Sequence, residues 1–104
     1  MKYYAVAGID VTDPTWVADY VAAVTRLVEA RGGRYLARTP KVERIEGERP
    51  LSKIYVIIEW PSKEAAEEFY ASDEYRPYLN ARLRGADNEF VLVAGEDVNR
   101  VARI

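Results

Sequence analysis

The order in which hydrophobic patterns follow one another constrains this chain more than any single motif does. Strand, long helix, strand, strand, helix, strand can be read from the periodicities across almost all 104 residues. That order predicts an α+β domain with a four-stranded antiparallel sheet and helices on one face only.

The first strand runs from about Lys2 to Val11, with Tyr3, Ala5, Ala7 and Ile9 on one side and Tyr4, Val6 and Gly8 on the other. Both sets are mostly apolar, as suits a central strand. Asp13 can accept from the free amides of a first helical turn, and Pro14 suits its first position. Trp16, Val17, Tyr20, Val21, Val24, Leu27 and Val28 then recur at the helical period. Gly32 and Gly33 supply the stop.

A second strand is expected from Arg34 to about Ile45, with Arg34, Leu36 and Arg38 on one face and Tyr35, Ala37 and Thr39 on the other. Pro40 has no ladder amide, so this strand belongs at an edge. Ser52 to Trp60 is the third strand and the most hydrophobic, hence central. Ser62 caps a helix whose Ala65, Ala66, Phe69 and Tyr70 face inward. Ser72 or Asp73 restarts a short helical piece with Tyr75, Tyr78, Leu79 and Leu83 as its apolar side, and Pro77 marks the break. Gly85 stops it, Glu89 to about Ala94 is the fourth strand, and residues 97–104 form a tail to a domain spanning 1–96.

The strands carry a further implication. An antiparallel sheet with one solvated face shows polar residues there. Here Tyr3, Ala5, Ile9, Ile54, Val56, Ile58 and Trp60 alternate with Tyr4, Val6, Tyr55 and Ile57. Leaving either set open exposes an apolar patch of a size that monomers rarely carry. A homodimer that stacks two helix-free sheet faces is therefore expected.

Composition removes several classes of chemistry. With 15 basic and 17 acidic residues the net charge is −2, so the broad attraction of a nucleic-acid binder is absent. The chain has no cysteine and no histidine. That excludes disulfides, thiolate nucleophiles, imidazole catalysis and the usual zinc, iron and haem ligation. No acidic loop has the spacing of a calcium site. No cofactor or metal is expected. No apolar run approaches the ~20 residues of a membrane span. The beginning of the chain lacks a basic segment followed by an apolar run, so a cytoplasmic location is expected.

A ligand pocket is expected between the sheet and its helices. Glu59 stands late in an otherwise apolar strand. It reads as a general acid or base with a raised pKa, or as a carboxylate paired with Arg34 or Arg38, or exposed at the sheet end. Asp10 is either a base at a strand end or the residue that orders the turn. Arg38 would hold an anionic or enolate substrate, or pair with Glu59. Tyr20, Tyr70, Tyr75 and Tyr78 would line an aromatic slot or complete the core. Arg82 would close the pocket or bind a carboxylate, with a surface or dimer ion pair as its plain alternative.

Several segments together resemble a known family. They are Asp10-Val11-Thr12-Asp13-Pro14 ahead of Tyr20, Gly32-Gly33-Arg34-Tyr35-Leu36-Ala37-Arg38, and Ile58-Glu59-Trp60-Pro61-Ser62 followed by Glu64-Ala65-Ala66. Tyr70, Ser72, Glu74-Tyr75, Arg82 and Val91-Leu92-Val93-Ala94-Gly95 complete the set. In order and spacing the chain resembles the domain of unknown function 1330, over nearly its whole length. The resemblance implies a ferredoxin-like subunit of the dimeric α/β-barrel superfamily, and a dimer. It implies no established activity. Superfamily relatives include cofactor-free monooxygenases of aromatic polyketides, muconolactone-type isomerases, haem-handling enzymes and small stress proteins. Thr39-Pro40 stands where family members often carry a glycine pair, and the tail beyond Gly95 is longer than the family's usual end.

Two functions follow as expectations. One is a cofactor-independent enzyme acting on a compact aromatic or lactone-like molecule, with Glu59 or Asp10 as base, Arg38 or Arg82 as electrostatic clamp and tyrosines as walls. The other is a non-catalytic small-molecule-binding or stress-related dimerisation module.

Overall fold

A computed structural model describes residues 1–101 of the chain; the last three residues of the expected tail lie outside the described residues. Strand β1 (Tyr3–Val11) leads through a single 3₁₀ turn (Pro14–Trp16) into helix α1 (Val17–Ala30). Strands β2 (Arg34–Thr39) and β3 (Ile54–Trp60) follow, then helices α2 (Lys63–Tyr70) and α3 (Arg76–Gly85), strand β4 (Ala86–Ala94) and the short helix α4 (Val98–Val101). The sheet order is β2-β3-β1-β4, and every neighbouring pair is antiparallel. This is the ferredoxin-like arrangement that the element order implied.

Local chemistry accounts for the element boundaries. Asp13 Oδ1 accepts from Thr15 N at 3.0 Å and from the Thr15 hydroxyl at 2.8 Å, which starts the first helical turn. Gly32, at φ +87°, carries the chain out of α1. Gly33 is needed for closeness instead: a Cβ there would stand 2.5 Å from Val28 Cγ1 and 3.0 Å from the Trp60 indole. Ser62 Oγ accepts from Ala65 N at 3.1 Å and caps α2.

Three boundaries differ from the sequence expectation. β2 ends at Thr39 and residues 40–53 form an irregular loop, because Pro40 cannot donate to the ladder. β4 begins at Ala86, three residues before Glu89, because α3 runs straight into a strand whose Ala86 pairs with Val11. α3 begins at Arg76 with Pro77 inside its first turn, where a missing amide costs no helical bond.

The core is a single cluster. Ala5, Ala7 and Ile9 of β1 and Val56, Ile58 and Trp60 of β3 are buried against Val24 and Val28 of α1, Ala66 and Phe69 of α2, and Tyr75. The alternate residues Tyr4, Val6, Tyr55 and Ile57 are only half-buried, and nothing in the chain's core cluster packs on them. On β4 the same face shows Val91 and Val93, which are 45% and 47% exposed. Leu83, expected on an apolar side, is exposed, because α3 turns Leu79 and Arg82 inward instead.

Candidate site between the sheet and the helices

A cavity of about 550 Å³ lies between the covered face of the sheet and helices α1 and α2. Its floor is Ala5, Ile9, Val56 and Ile58, and Val24 and Val28 of α1 form one wall. Aromatic rings make much of the rest. Trp60, Phe69, Tyr75, Tyr20 and Trp16 follow one another with centroids 5.3, 4.3, 6.1 and 5.1 Å apart. All five line the cavity. The polar groups at its surface are few: Tyr20, Tyr75, Tyr35, Tyr70, Arg38 and Glu67.

Tyr20, Tyr75 and Arg82 form one cluster. The two phenol oxygens are 2.6 Å apart. Arg82 Nε donates to Tyr20 at 3.2 Å, and an Arg82 Nη donates to Tyr75 at 3.3 Å. The guanidinium also lies over the Phe90 ring, 4.6 Å from its centroid. Arg82 and Tyr75 are each only 1% exposed. Burial pushes the Tyr20 phenol well up, with the neighbouring Tyr75 adding to it and Arg82 opposing it. Arg82 does not itself reach the cavity wall; the phenols stand between. It makes no salt bridge among the described residues, and its burial speaks against the surface ion pair considered from sequence.

Arg38 reaches the cavity by a route the alternation of β2 does not indicate. Pairing runs Tyr35 with Ile58 and then Ala37 with Ile57, so Leu36 is an extra residue in a bulge. The bulge turns Arg38 to the covered face beside Tyr35 and leaves Arg34 on the open one, opposite Glu59. Arg38 and Arg34 therefore do not share a face. Arg38 donates to Thr25 Oγ1 at 2.8 Å and stacks 3.9 Å from the centroid of the Tyr35 ring. Burial pushes the Tyr35 phenol up, with Arg38 opposing the shift.

The two carboxylates singled out from sequence lie on the other side of the sheet. Glu59 pairs in register with Tyr4 and Arg34, between the buried Ile58 and Trp60. It forms a salt bridge with Lys2 rather than with Arg34 or Arg38. The hydrogen bond and charge of Lys2 hold its carboxyl below the usual range instead of raising it. Asp10 accepts from Lys53 N at 2.8 Å and so ties the end of β1 to the start of β3. Neither residue lines the cavity. Tyr70 sits at the cavity edge, 46% exposed, and Tyr78 packs against the core away from it.

Sequence reasoning did not single out Tyr35 and Glu67 as cavity groups, nor Trp16 and Trp60 as walls. Trp16 and Trp60 fall on inward stripes and so are legible as core, but a core stripe does not announce a gap in the core. Glu67 sits on an otherwise polar helix face and gives no signal. Among the described residues there is no group of three acidic, histidine or cysteine side chains able to hold a metal ion. No helix among them is long and apolar enough to cross a membrane.

Comparison with known proteins agrees with this description. Residues 2–96 match the domain of unknown function DUF1330. The chain belongs to that family. No curated protein matches the sequence. Among solved structures, a protein of unknown function from Rhodopseudomonas palustris superposes with a TM-score of 0.74 at 16% identity, over 92% of this chain and 83% of that one. SnoaB, a cofactor-independent oxygenase from Streptomyces nogalater, gives a TM-score of 0.65 at 18% identity, over 92% and 94%. A dimeric ferredoxin-like protein of unknown function from Jannaschia sp. CCS1 gives 0.72 at 8% identity, over 90% and 99%. At these identities the likeness is one of fold.

Proposed function

We propose that this chain binds a compact, largely apolar aromatic molecule in the cavity between its sheet and helices, as a homodimer joined through the open sheet face. The cavity carries the reading. About 550 Å³ of space within an apolar, aromatic wall, interrupted by a few polar groups, is the usual composition of a small-molecule site. The apolar residues on the open face support the dimer, since Tyr4, Val6, Tyr55 and Ile57 are only half-buried and Val91 and Val93 are exposed. The domain is residues 1–96, with 97–104 as its tail. That the Jannaschia protein is described as dimeric adds weight to the assembly.

Cofactor-independent catalysis on an aromatic or lactone-like molecule is the second reading. The buried Arg82 guanidinium behind two phenols favours it, because such donors stabilise negative charge developing on a substrate oxygen. SnoaB is a cofactor-independent oxygenase on this fold, which supports the reading by analogy only. With Glu59 and Asp10 on the open face, a proton would have to leave through the cavity's own groups, Glu67 or the phenols.

Both tryptophans of the chain line the cavity, so its occupancy can be read from intrinsic fluorescence. Titration with naphthol is expected to quench Trp16 and Trp60 saturably, and Val21→Phe at the cavity edge to weaken the effect. Quenching that rises without saturation, and identically in the variant, would overturn the binding reading. Native mass spectrometry of the same protein tests the dimer.

A further inference from the structure

The Arg82 cluster leaves one charge and one proton unanswered. Arg82 is almost fully buried, and a buried guanidinium is costly unless an opposite charge answers it. Its polar partners among the described residues are the phenols of Tyr20 and Tyr75. Burial pushes the Tyr20 phenol up, so that residue stays protonated and supplies no counter-charge.

The proton count sharpens this. Two phenols hold two hydroxyl protons. One lies between the oxygens, which are 2.6 Å apart. Both oxygens already accept from Arg82, so the second proton has no acceptor in the cluster. Tyr75 is fully buried, whereas Tyr20 is partly exposed. Donation from Tyr75 to Tyr20 therefore leaves the free proton on the more accessible hydroxyl. Arg82, Tyr75 and Tyr20 then form a polarised chain of donors that ends at the cavity, in a setting of low dielectric.

We infer that the cavity is built for a ligand bearing an anionic oxygen, a phenolate or enolate on an apolar body, which accepts from Tyr20 while Arg82 acts behind the phenols as a positioning residue. The inference rests on the small-molecule reading of the cavity. The other charged groups facing the same space are Arg38 of β2, which adds to the attraction, and Glu67 of α2, an exposed carboxylate that opposes it. Tyr35 and Tyr70 add two phenols to the same lining.

Nitronaphthol and nitronaphthalene test this, because they share a body and only the first ionises, with a visible colour change. The full chain is expected to bind ionised nitronaphthol at least about tenfold more tightly than nitronaphthalene, as befits one charge-assisted hydrogen bond. The bound naphthol should ionise at lower pH than the free compound. Tyr20→Phe should abolish both effects. Arg82→Lys should retain part of the ionisation shift, and Arg82→Gln should lose it. Equal binding of the two probes, or a naphthol that ionises at higher pH when bound, overturns the inference but leaves the binding reading standing. Binding of neither probe overturns both. If the Arg82 variants fail to fold, Tyr20→Phe decides alone.

Discussion

On the covered face of the sheet, Ala5, Ile9, Val56 and Ile58 meet helices, and the buried cation Arg82 is held by phenols. On the open face, Tyr4, Val6, Tyr55 and Ile57 are half-buried, and none of them belongs to the core cluster. Two of the charged groups there have partners: Lys2 pairs with Glu59, and Asp10 accepts from a backbone amide. One alternating pattern thus yields two different surfaces. The side whose hydrocarbon no helix of the core covers suits a protein partner. The side with covered hydrocarbon and an unanswered charge suits a small anion-bearing ligand. The difference between the faces comes from where carboxylates stand, not from their hydrophobicity.

The largest effect should come from putting charge on the open face. Ile57 is central in the sheet, paired with Val6 on one side and Ala37 on the other. In a two-fold dimer Ile57→Glu buries two carboxylates at once. The variant is expected to run as a folded monomer in sedimentation at concentrations where the unaltered chain is dimeric. An unchanged dimer would mean that the subunits meet elsewhere. On the covered face, Gly33→Ala forces a methyl group against Val28 and Trp60, both fully buried. Overpacking of this kind should lower stability by about 1–3 kcal/mol, read from urea unfolding, without changing the oligomer.

The central features of the fold were open to reading from sequence because they rest on local periodicity. Asp13, Pro14, Gly32 and Ser62 mark their boundaries through chemistry that acts within a few residues. The place of the cavity followed from the fold. The identity of its polar groups followed less well. Simple alternation puts Arg38 on the face of Arg34, and the bulge at Leu36 reverses that, for which the residues Arg34–Thr39 give no signal. Glu59 drew attention as an isolated carboxylate in an apolar strand. Its partner proved to be Lys2, from just before β1, since β1 and not only β2 lies beside it. Tyr20, Tyr75 and Arg82 are each legible as candidates, but their meeting depends on how α1 and α3 approach each other, which no spacing encodes.

A smaller effect is expected from Tyr20→Phe. The change removes the hydroxyl that bonds both Tyr75 and Arg82 Nε, but leaves the ring against Trp16. Stability should fall by about 1–2 kcal/mol, the cost of an unpaired buried donor, with the fold and the dimer intact by circular dichroism and sedimentation. A loss much larger than this would mean that the cluster is chiefly a structural clasp between α1 and α3.

The smallest effect should be that of Glu59→Gln, and its sign with pH tests whether the open face carries only a surface ion pair. Lys2 holds the Glu59 carboxyl below its ordinary 4.5, and Glu59 holds the Lys2 ammonium above its ordinary 10.5. A carboxyl with a lowered value contributes stability above its unfolded value and loses it as pH falls through the folded one; the raised ammonium contributes below its unfolded value and loses it as pH rises through the folded one. The pair therefore acts across the range between those two ordinary values. Lys2 is largely exposed, so solvent screens the attraction and salt should weaken it further. Glu59→Gln is expected to flatten the small acid-side loss of stability seen in urea unfolding and to leave cavity binding untouched. A large fall in probe binding in this variant would place Glu59 in the ligand chemistry despite its position on the other side of the sheet.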